Sequence, residues 1–498
     1  MLREPSPQQQ ELEMVSLEWL VPDTHLLRNI DQYIDFEFIR DRVRHLYCSN
    51  NGRPALDPVV LFKMRFLGYL FGIRSERQLI REIQVNVAYR WFLHFNLTDK
   101  IPDASTLSQN RRRRFQDSTI YQEVFDEIVL QAMGYGLVGG EVLYTDSTHL
   151  KANTNKNKHD LKEAEAKVAA YLESLEDAID GDRATQGKKP LKTKLSEQPA
   201  KTKNIKVSRT DPDSGYMVRE GKPKGFFYLD HRTVDGRNAI ITDSYATAAN
   251  LHDSRPYLDR LDRQRERFGF DVWGVGLDAG SYTAGICKGL EDRGIYGVMG
   301  YRRPNKPKGY LPKRAFTYDA TTNTYQCPQG QSLIYATTNR LGYREYKSNP
   351  SHCKDCPLLS QCTRSANHVK ILTRHVWQDS KERTDSYRLT PWGKALYKRR
   401  QETCGAIVCR RQAVAWSSLR TPARALEGER TVPADRSRPE HEENCADPGA
   451  SFYGSNPWGT RASEPHPVTG PGAGQIGGHC LRLEKSVNAH GWMNLLSP

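Results

Sequence analysis

The sequence predicts a mixed α/β protein, with a helical N-terminal region followed by a domain of short strands and amphipathic helices. Three observations carry this expectation. Residues 15 to about 135 show helical periodicity behind strong N-cap signals. From Glu141 the pattern runs strand, insertion, hairpin, helix, strand, helix, strand. Two of the strands run into an aspartate: Val142-Leu143-Tyr144-Thr145 into Asp146, and Val272 to Leu277 into Asp278.

In the helical region, Asp57-Pro58 reads as N-cap and first turn of a helix through Leu61, Met64, Phe66, Leu67 and Leu70. Ser75 and Gln78 form a capping-box pattern ahead of Leu79, Ile80 and Ile83. A third helix carries Tyr89, Trp91, Phe92 and Phe95. Pro102-Asp103 starts a fourth, which runs into Arg111-Arg112-Arg113-Arg114. Short helices ending in a basic one resemble a helix-turn-helix DNA-binding module. A helical bundle with one solvated charged face shows the same pattern.

In the second region, the Asp146 strand leads into a Lys-rich stretch, Lys151 to Lys158, then a charged helix over about Asp160 to Ile179. A Lys/Pro/Gln/Ser-rich segment to about Lys206 reads as a flexible linker. Gly225–Asp230 and Ala239–Thr242 form a hairpin around Asp235-Gly236. Asp253 or Ser254 caps a helix to about Phe268. The Asp278 strand, a helix over Ala284–Arg293 and a strand over Ile295–Met299 follow. A carboxylate at a strand end is rigidly held yet reaches water, and two of them brought together suit Mg²⁺.

The 498 residues carry a net charge of +14, which suits a polyanionic partner. No apolar run approaches a membrane span, and the N-terminus has no secretory h-region, so a cytoplasmic protein with reduced thiols is expected. Ten cysteines in that setting suggest metal ligation before disulfides. Cys327, Cys353, Cys356 and Cys362 are candidate ligands of a structural Zn²⁺, with free loop thiols as the alternative. Arg302 and Arg303, near Tyr301 and Tyr310, read as phosphate-backbone contacts or as a solvated basic loop.

Several motifs together resemble bacterial insertion-sequence transposases of the DDE type. They are Tyr144-Thr145-Asp146-Ser147-Thr148 with Lys151-Ala152-Asn153; Asn250-Leu251-His252-Asp253-Ser254; Leu277-Asp278-Ala279-Gly280-Ser281-Tyr282; and Pro102-Asp103-Ala104-Ser105-Thr106-Leu107. The resemblance spans about residues 15 to 403 and points to a branch with a Cys cluster before the last acidic motif. It implies a ribonuclease H-like catalytic domain, with Asp146 and Asp278 holding Mg²⁺ or Mn²⁺. The implied activity is DNA strand cleavage and strand transfer at element ends. The implied partners are double-stranded DNA, both terminal inverted repeats and target, and further copies of the chain on that DNA. A bacterial, nucleoid-associated location goes with these. Lys151, Lys156, Lys158 and Arg111 to Arg114 join Arg302 and Arg303 as candidate DNA contacts.

The implied organisation is a helical DNA-binding domain at 15–135 and a catalytic domain at 140–310 with an insertion at 155–206. A zinc-knuckle-like insertion follows at 311–375, and the start of the final catalytic helix at 376–403. There the pattern breaks. Tyr397-Lys398-Arg399-Arg400-Gln401-Glu402-Thr403 leads up to the family's last acid, but no acidic residue follows until Glu427, and Glu402 matches nothing. Beyond Cys404 the chain is rich in Pro, Gly, Arg and Ser. With codons chosen among synonyms, Cys404 to Trp416 read one base later gives Ala-Glu-Arg-Ser-Phe-Ala-Asp-Ala-Lys-Gln-Leu-His, which restores a family-like motif. Arg438 to Asn444, shifted alike, gives Ala-Gln-Asn-Met-Lys-Lys-Ile, like the family's ending. Residues 404–498 are therefore expected to be an out-of-frame, largely disordered tail that leaves the copy short of its third carboxylate. Two rivals remain: a non-catalytic DNA-binding remnant that inhibits an intact copy, and a ribonuclease H-like nuclease without strand transfer.

Overall fold

The computed structural model describes residues 14–48, 55–115, 118–165, 172–194, 202–219, 221, 223–301 and 309–403. Arg302, Arg303 and the segment read as out of frame lie outside the described residues.

The N-terminal region is helical, and its caps are those the sequence signals. The Asp57 carboxylate accepts from the Val59 N–H at 2.9 Å and starts the helix Pro58–Leu70. The Ser75 hydroxyl accepts from Gln78 N–H and starts Glu76–Val85. Asp103 accepts from Ser105 N–H at 2.8 Å and starts Ala104–Gln109. The helix Val87–Phe92 is shorter than its aromatic pattern suggests, because His94 turns the chain with a positive φ before Phe95. Phe62, Phe66, Phe92 and Phe115 are buried in the shared core. The helix Ile120–Gly134 leaves that core and sends Phe125 and Val129 into the next one.

The central sheet contains β1 (Val142–Lys151), β4 (Gly215–Met217), β5 (Gly225–Asp235), β6 (Ile241–Ala248), β7 (Gly274–Leu277) and β8 (Tyr296–Met299). β1 pairs antiparallel with β5 and parallel with β7, and β7 pairs parallel with β8. β6 and β4 share the outer edge of β5, both antiparallel to it. The order β6-β5-β1-β7-β8, three antiparallel strands followed by two parallel ones, is a ribonuclease H-like sheet. β5 is buried along nearly its whole length, so both faces of the sheet are covered. On one face the helix Tyr257–Phe268 brings Arg260 to Asp243 and Gln264 to Thr242. On the other, a helix over 391–403 lays Leu396 across β7.

Four sequence expectations are corrected. Asp146 does not end its strand, since β1 runs five residues further to Lys151. The helix expected over Asp160–Ile179 is divided into a strand, β2 (His159–Glu165), and a helix, Leu172–Thr185. The end of the supposed linker is a strand, β3 (Thr202–Ser208), which pairs antiparallel with β2. Ala, Glu and Lys favour helix locally, but a partner some 45 residues away decides the outcome, and local propensity does not contain it. The helix expected from Asp253 or Ser254 begins at Tyr257, just after Pro256.

The Cys-rich segment forms more structure than a knuckle. β9 (Thr317–Asp319), β10 (Thr324–Gln326), β11 (Ser332–Thr338), β12 (Tyr343–Ser348) and β13 (Ile371–His375) make one antiparallel sheet. Phe316, Tyr325, Leu333, Tyr346 and Leu372 form its core. The helix Leu172–Thr185 docks on this sheet: Arg344 Nη2 meets Asp182 Oδ1 at 2.6 Å, and Leu175 and Ile179 pack with Trp377.

Candidate active site

Strand register brings the two aspartates together. In the β1–β7 pairing Val142 faces Gly274, Leu143 faces Val275 and Tyr144 faces Gly276. Two residues further along each chain, Asp146 on β1 comes level with Asp278, just past the end of β7, and Asp278 is close enough to act on its charge. Period-2 alternation places Tyr144, Asp146 and Thr148 on one face of β1. Arg232 lies directly opposite Asp146 on β5, and Asp230 opposite Thr148. The other face carries Thr145, bonded to Thr233 at 2.9 Å, and Ser147, bonded to His231 Nδ1 at 2.7 Å.

The final helix covers the face of β1 that carries Asp146. It can sit close because β7 has glycine at the crossing: a Cβ on Gly276 would stand 2.6 Å from the Tyr144 ring and 3.1 Å from Leu396. One turn beyond Leu396, Arg400 Nη2 reaches Asp146 Oδ1 at 3.2 Å. Burial pushes the Asp146 carboxyl up, Arg400 and the Ser147 N–H oppose this, and nearby Asp278 and Asp253 add to the rise. Asp278 Oδ1 accepts from the Ser281 N–H at 3.1 Å and the Ser281 hydroxyl at 2.8 Å, so it also caps the short turn Ala279–Ser281. Arg232 Nε donates to Asp230 Oδ2 at 2.8 Å, and both residues are buried. Burial lowers Arg232 to about 10.

Two hard oxygen donors thus converge, each with one oxygen engaged by protein donors. Their chemistry fits a divalent cation such as Mg²⁺. Among the described residues, however, no group of three or more His, Cys, Asp or Glu is gathered to hold an ion. Glu402 supplies no third donor: it is exposed, while Arg400, two positions before it, is buried against Asp146.

The cysteines expected to bind zinc lie in the loops of the Tyr-rich sheet, all as free thiols. Cys327 follows β10, Cys353 and Cys356 lie in and after the helix Pro350–Lys354, and Cys362 ends Leu359–Cys362. Burial raises the Cys362 thiol, Lys370 opposes this, and Cys353, Cys327 and Cys356 each raise it further, so all four share one neighbourhood.

The expected DNA-contact residues separate into two classes. Lys151 is exposed at the end of β1, and Lys156 and Lys158 are exposed in the turn between β1 and β2. Arg112 and Arg113 are exposed too, whereas Arg111 reaches Glu76 at 3.4 Å and Arg114 stacks 4.0 Å from the Tyr47 ring. Sequence reading missed Arg232 and Arg400 as neighbours of Asp146. Arg400 stood in the Tyr397-to-Thr403 lead-in, but nothing local distinguished it from Arg399.

Comparisons with known proteins match two transposase domain models to the parts of the chain on either side of this site. The family described as transposase domain (DUF772) matches residues 15–113, and a transposase DDE domain matches residues 326–417. The second match runs past Cys404, where the sequence reading expects the frame to shift, and Asp146 and Asp278 lie between the two matches. A search of curated proteins finds no match. Among solved structures, the Mos1 transposase paired-end complex with left transposon end is 11% identical, covering 50% of this chain and 61% of that one, with a TM-score of 0.16. The Mos1 mariner paired-end complex with Mn is 10% identical, covering 56% and 70%, also at 0.16. The chain thus spans about three-fifths of the first Mos1 chain, and neither superposition is close enough to carry an argument. Two transposase domain matches flank a sheet with this strand order, so the chain resembles a DDE-type transposase.

Proposed function

We propose that the chain derives from an insertion-sequence transposase that cleaves and joins DNA strands at element ends, and that this copy lacks its third carboxylate. The observation that carries the reading is the register that sets Asp146 beside Asp278. Asp146 and Asp278 would hold Mg²⁺ or Mn²⁺. When bound, the ion would polarise the phosphodiester and neutralise charge growing on the attacking and leaving oxygens. The chain's own groups orient that site: the Ser147 N–H and the Ser281 N–H and hydroxyl fix one oxygen of each carboxylate. Exposed Lys151, Lys156 and Lys158, with Arg112 and Arg113, supply charge along which a DNA backbone can lie. In the family reaction, water opens a phosphodiester to leave a 3′-OH, which then attacks a target phosphodiester and displaces its 3′ oxygen.

A third acid belongs about one helical turn past Arg400, where side chains three or four positions on rejoin the same helix face. The shifted reading frame supplies a glutamate five positions past Arg400, one residue further than that face requires. Without it, weak cleavage with intact DNA binding is expected, and the inhibitory DNA-binding remnant is the second reading. Zinc on Cys327, Cys353, Cys356 and Cys362 is the structural part of the proposal; four thiolates suit it, and it needs the sulfurs drawn in to about 2.3 Å from one ion. The test is Mn²⁺-dependent cleavage of end-containing DNA by the frame-restored chain. Asp146→Asn and Asp278→Asn should each abolish it; undiminished cleavage by either variant would overturn the assignment.

A further inference from the structure

The Asp146 carboxylate has a protein cation on it, and that cation is incompletely bonded. Arg400 is 8% exposed, yet among the described residues its guanidinium has one charged partner, Asp146 Oδ1 at 3.2 Å. Its Nε is buried, with no hydrogen-bond partner among the described residues. A structural arginine–carboxylate pair in a buried place normally closes a two-pronged fork, because an unmatched donor there is costly. The neighbouring cation is already committed: Arg232 pairs with Asp230, and both are buried. Charge balance at Asp146 therefore falls to Arg400. The backbone carrying it is fixed by Leu396 against β7 and by Tyr397 against Gly300, so only the side chain is free to move. The Tyr397 ring, 5.7 Å from the Arg400 Cζ, offers a displaced guanidinium a face to rest on.

We infer that Arg400 is a positioning residue that holds Asp146 when no metal is present, and that Arg400 and the divalent ion compete for this carboxylate. The inference rests on the reading of Asp146 and Asp278 as the metal pair. One ion pair is broken when Arg400 leaves, and the ion takes over the charge it had balanced. A purely structural Arg400 would behave in the opposite way, since its removal would loosen the site and weaken metal binding.

The test is Mn²⁺ titration of the full chain, followed by paramagnetic resonance of free Mn²⁺ with zinc added to occupy the thiols. Arg400→Gln should bind Mn²⁺ at least about tenfold more tightly than the unchanged chain, because a unit positive charge beside the ion is gone. Arg400→Lys, which keeps the charge, should stay within about threefold of the unchanged chain on the same grounds. Equal or weaker binding by Arg400→Gln, with unchanged circular dichroism and melting, overturns the inference. Should Arg400→Gln fail to fold, the unchanged chain decides the matter. Its Arg400 Nε–H resonance, assigned by its loss in Arg400→Lys, should shift on adding Mg²⁺, and no shift at saturation overturns the competition. Asp146→Asn separates the two levels of argument: if it binds Mn²⁺ as well as the unchanged chain, the metal-pair reading falls and this inference with it.

Discussion

Asp146 shows what a single residue tells and what it hides. Its position after an apolar run was legible, and so was its pairing with Asp278 as a candidate site. Its surroundings were not, because Arg232 faces it through strand register and Arg400 through helix packing, 86 and 254 positions away. Gly276 is a second case. Gly276→Ala should destabilise the chain by about 1–3 kcal/mol, because the new Cβ overlaps the Tyr144 ring and pushes on Leu396; chemical denaturation measures this. Arg260 is a third. It is almost fully buried and donates to Asp243 at 2.7 Å, so Arg260→Ala should cost about 3–5 kcal/mol by stranding that carboxylate. The buried histidines set a pH dependence. Burial, with Arg260 and His149, lowers His231 to about 4, and burial, with Lys381 and Arg344, lowers His375 to about 4, both from 6.5. Between those values the unfolded chain binds more protons than the native one, so the native state gains as pH rises. This contribution is complete above about 6.5 and is lost as pH falls towards 4. The melting temperature should drop through that window, and less steeply in His231→Gln; an unchanged slope would remove His231 as a cause.

Among the elements, those with local signals were legible and those built by distant pairing were not. Pro58–Leu70, Glu76–Val85 and Ala104–Gln109 announce themselves by Asp57, Ser75 and Asp103, whose side chains do cap them. β2 carries Lys and Glu in a helix-favouring run and β3 follows a Lys/Pro/Gln/Ser-rich segment, so only their mutual pairing marks them as strands. The Tyr-rich sheet was missed for a related reason. Strands such as Thr317–Asp319 and Thr324–Gln326 are three residues long, below the length at which alternation can be read. The cysteines around that sheet give a prediction of their own. Protein purified under reducing conditions should carry about one zinc per chain if all four thiolates close on one ion. Cys353→Ser and Cys356→Ser should each lose the metal and lower the melting temperature. Metal analysis without zinc, in a folded chain, would leave these residues as loop thiols.

At the scale of the whole molecule, a net charge of +14 and exposed Lys151, Lys156 and Lys158 predict salt-dependent binding to DNA of any sequence. Among the described residues no helix is long and apolar enough to cross a membrane. The family was legible from the acidic motifs and the helical region, and the two domain matches agree with it. If Asp146 and Asp278 hold the ion and a third carboxylate has been lost, this chain should bind DNA yet cleave it poorly. The most direct measurement is Mg²⁺-dependent cleavage of DNA bearing the element's ends by the chain as it stands, by the frame-restored chain, and by the restored chain with Asp146→Asn. The account predicts DNA binding by all three and strong cleavage only by the second. Equal cleavage by the first and second, abolished by Asp146→Asn, would contradict it.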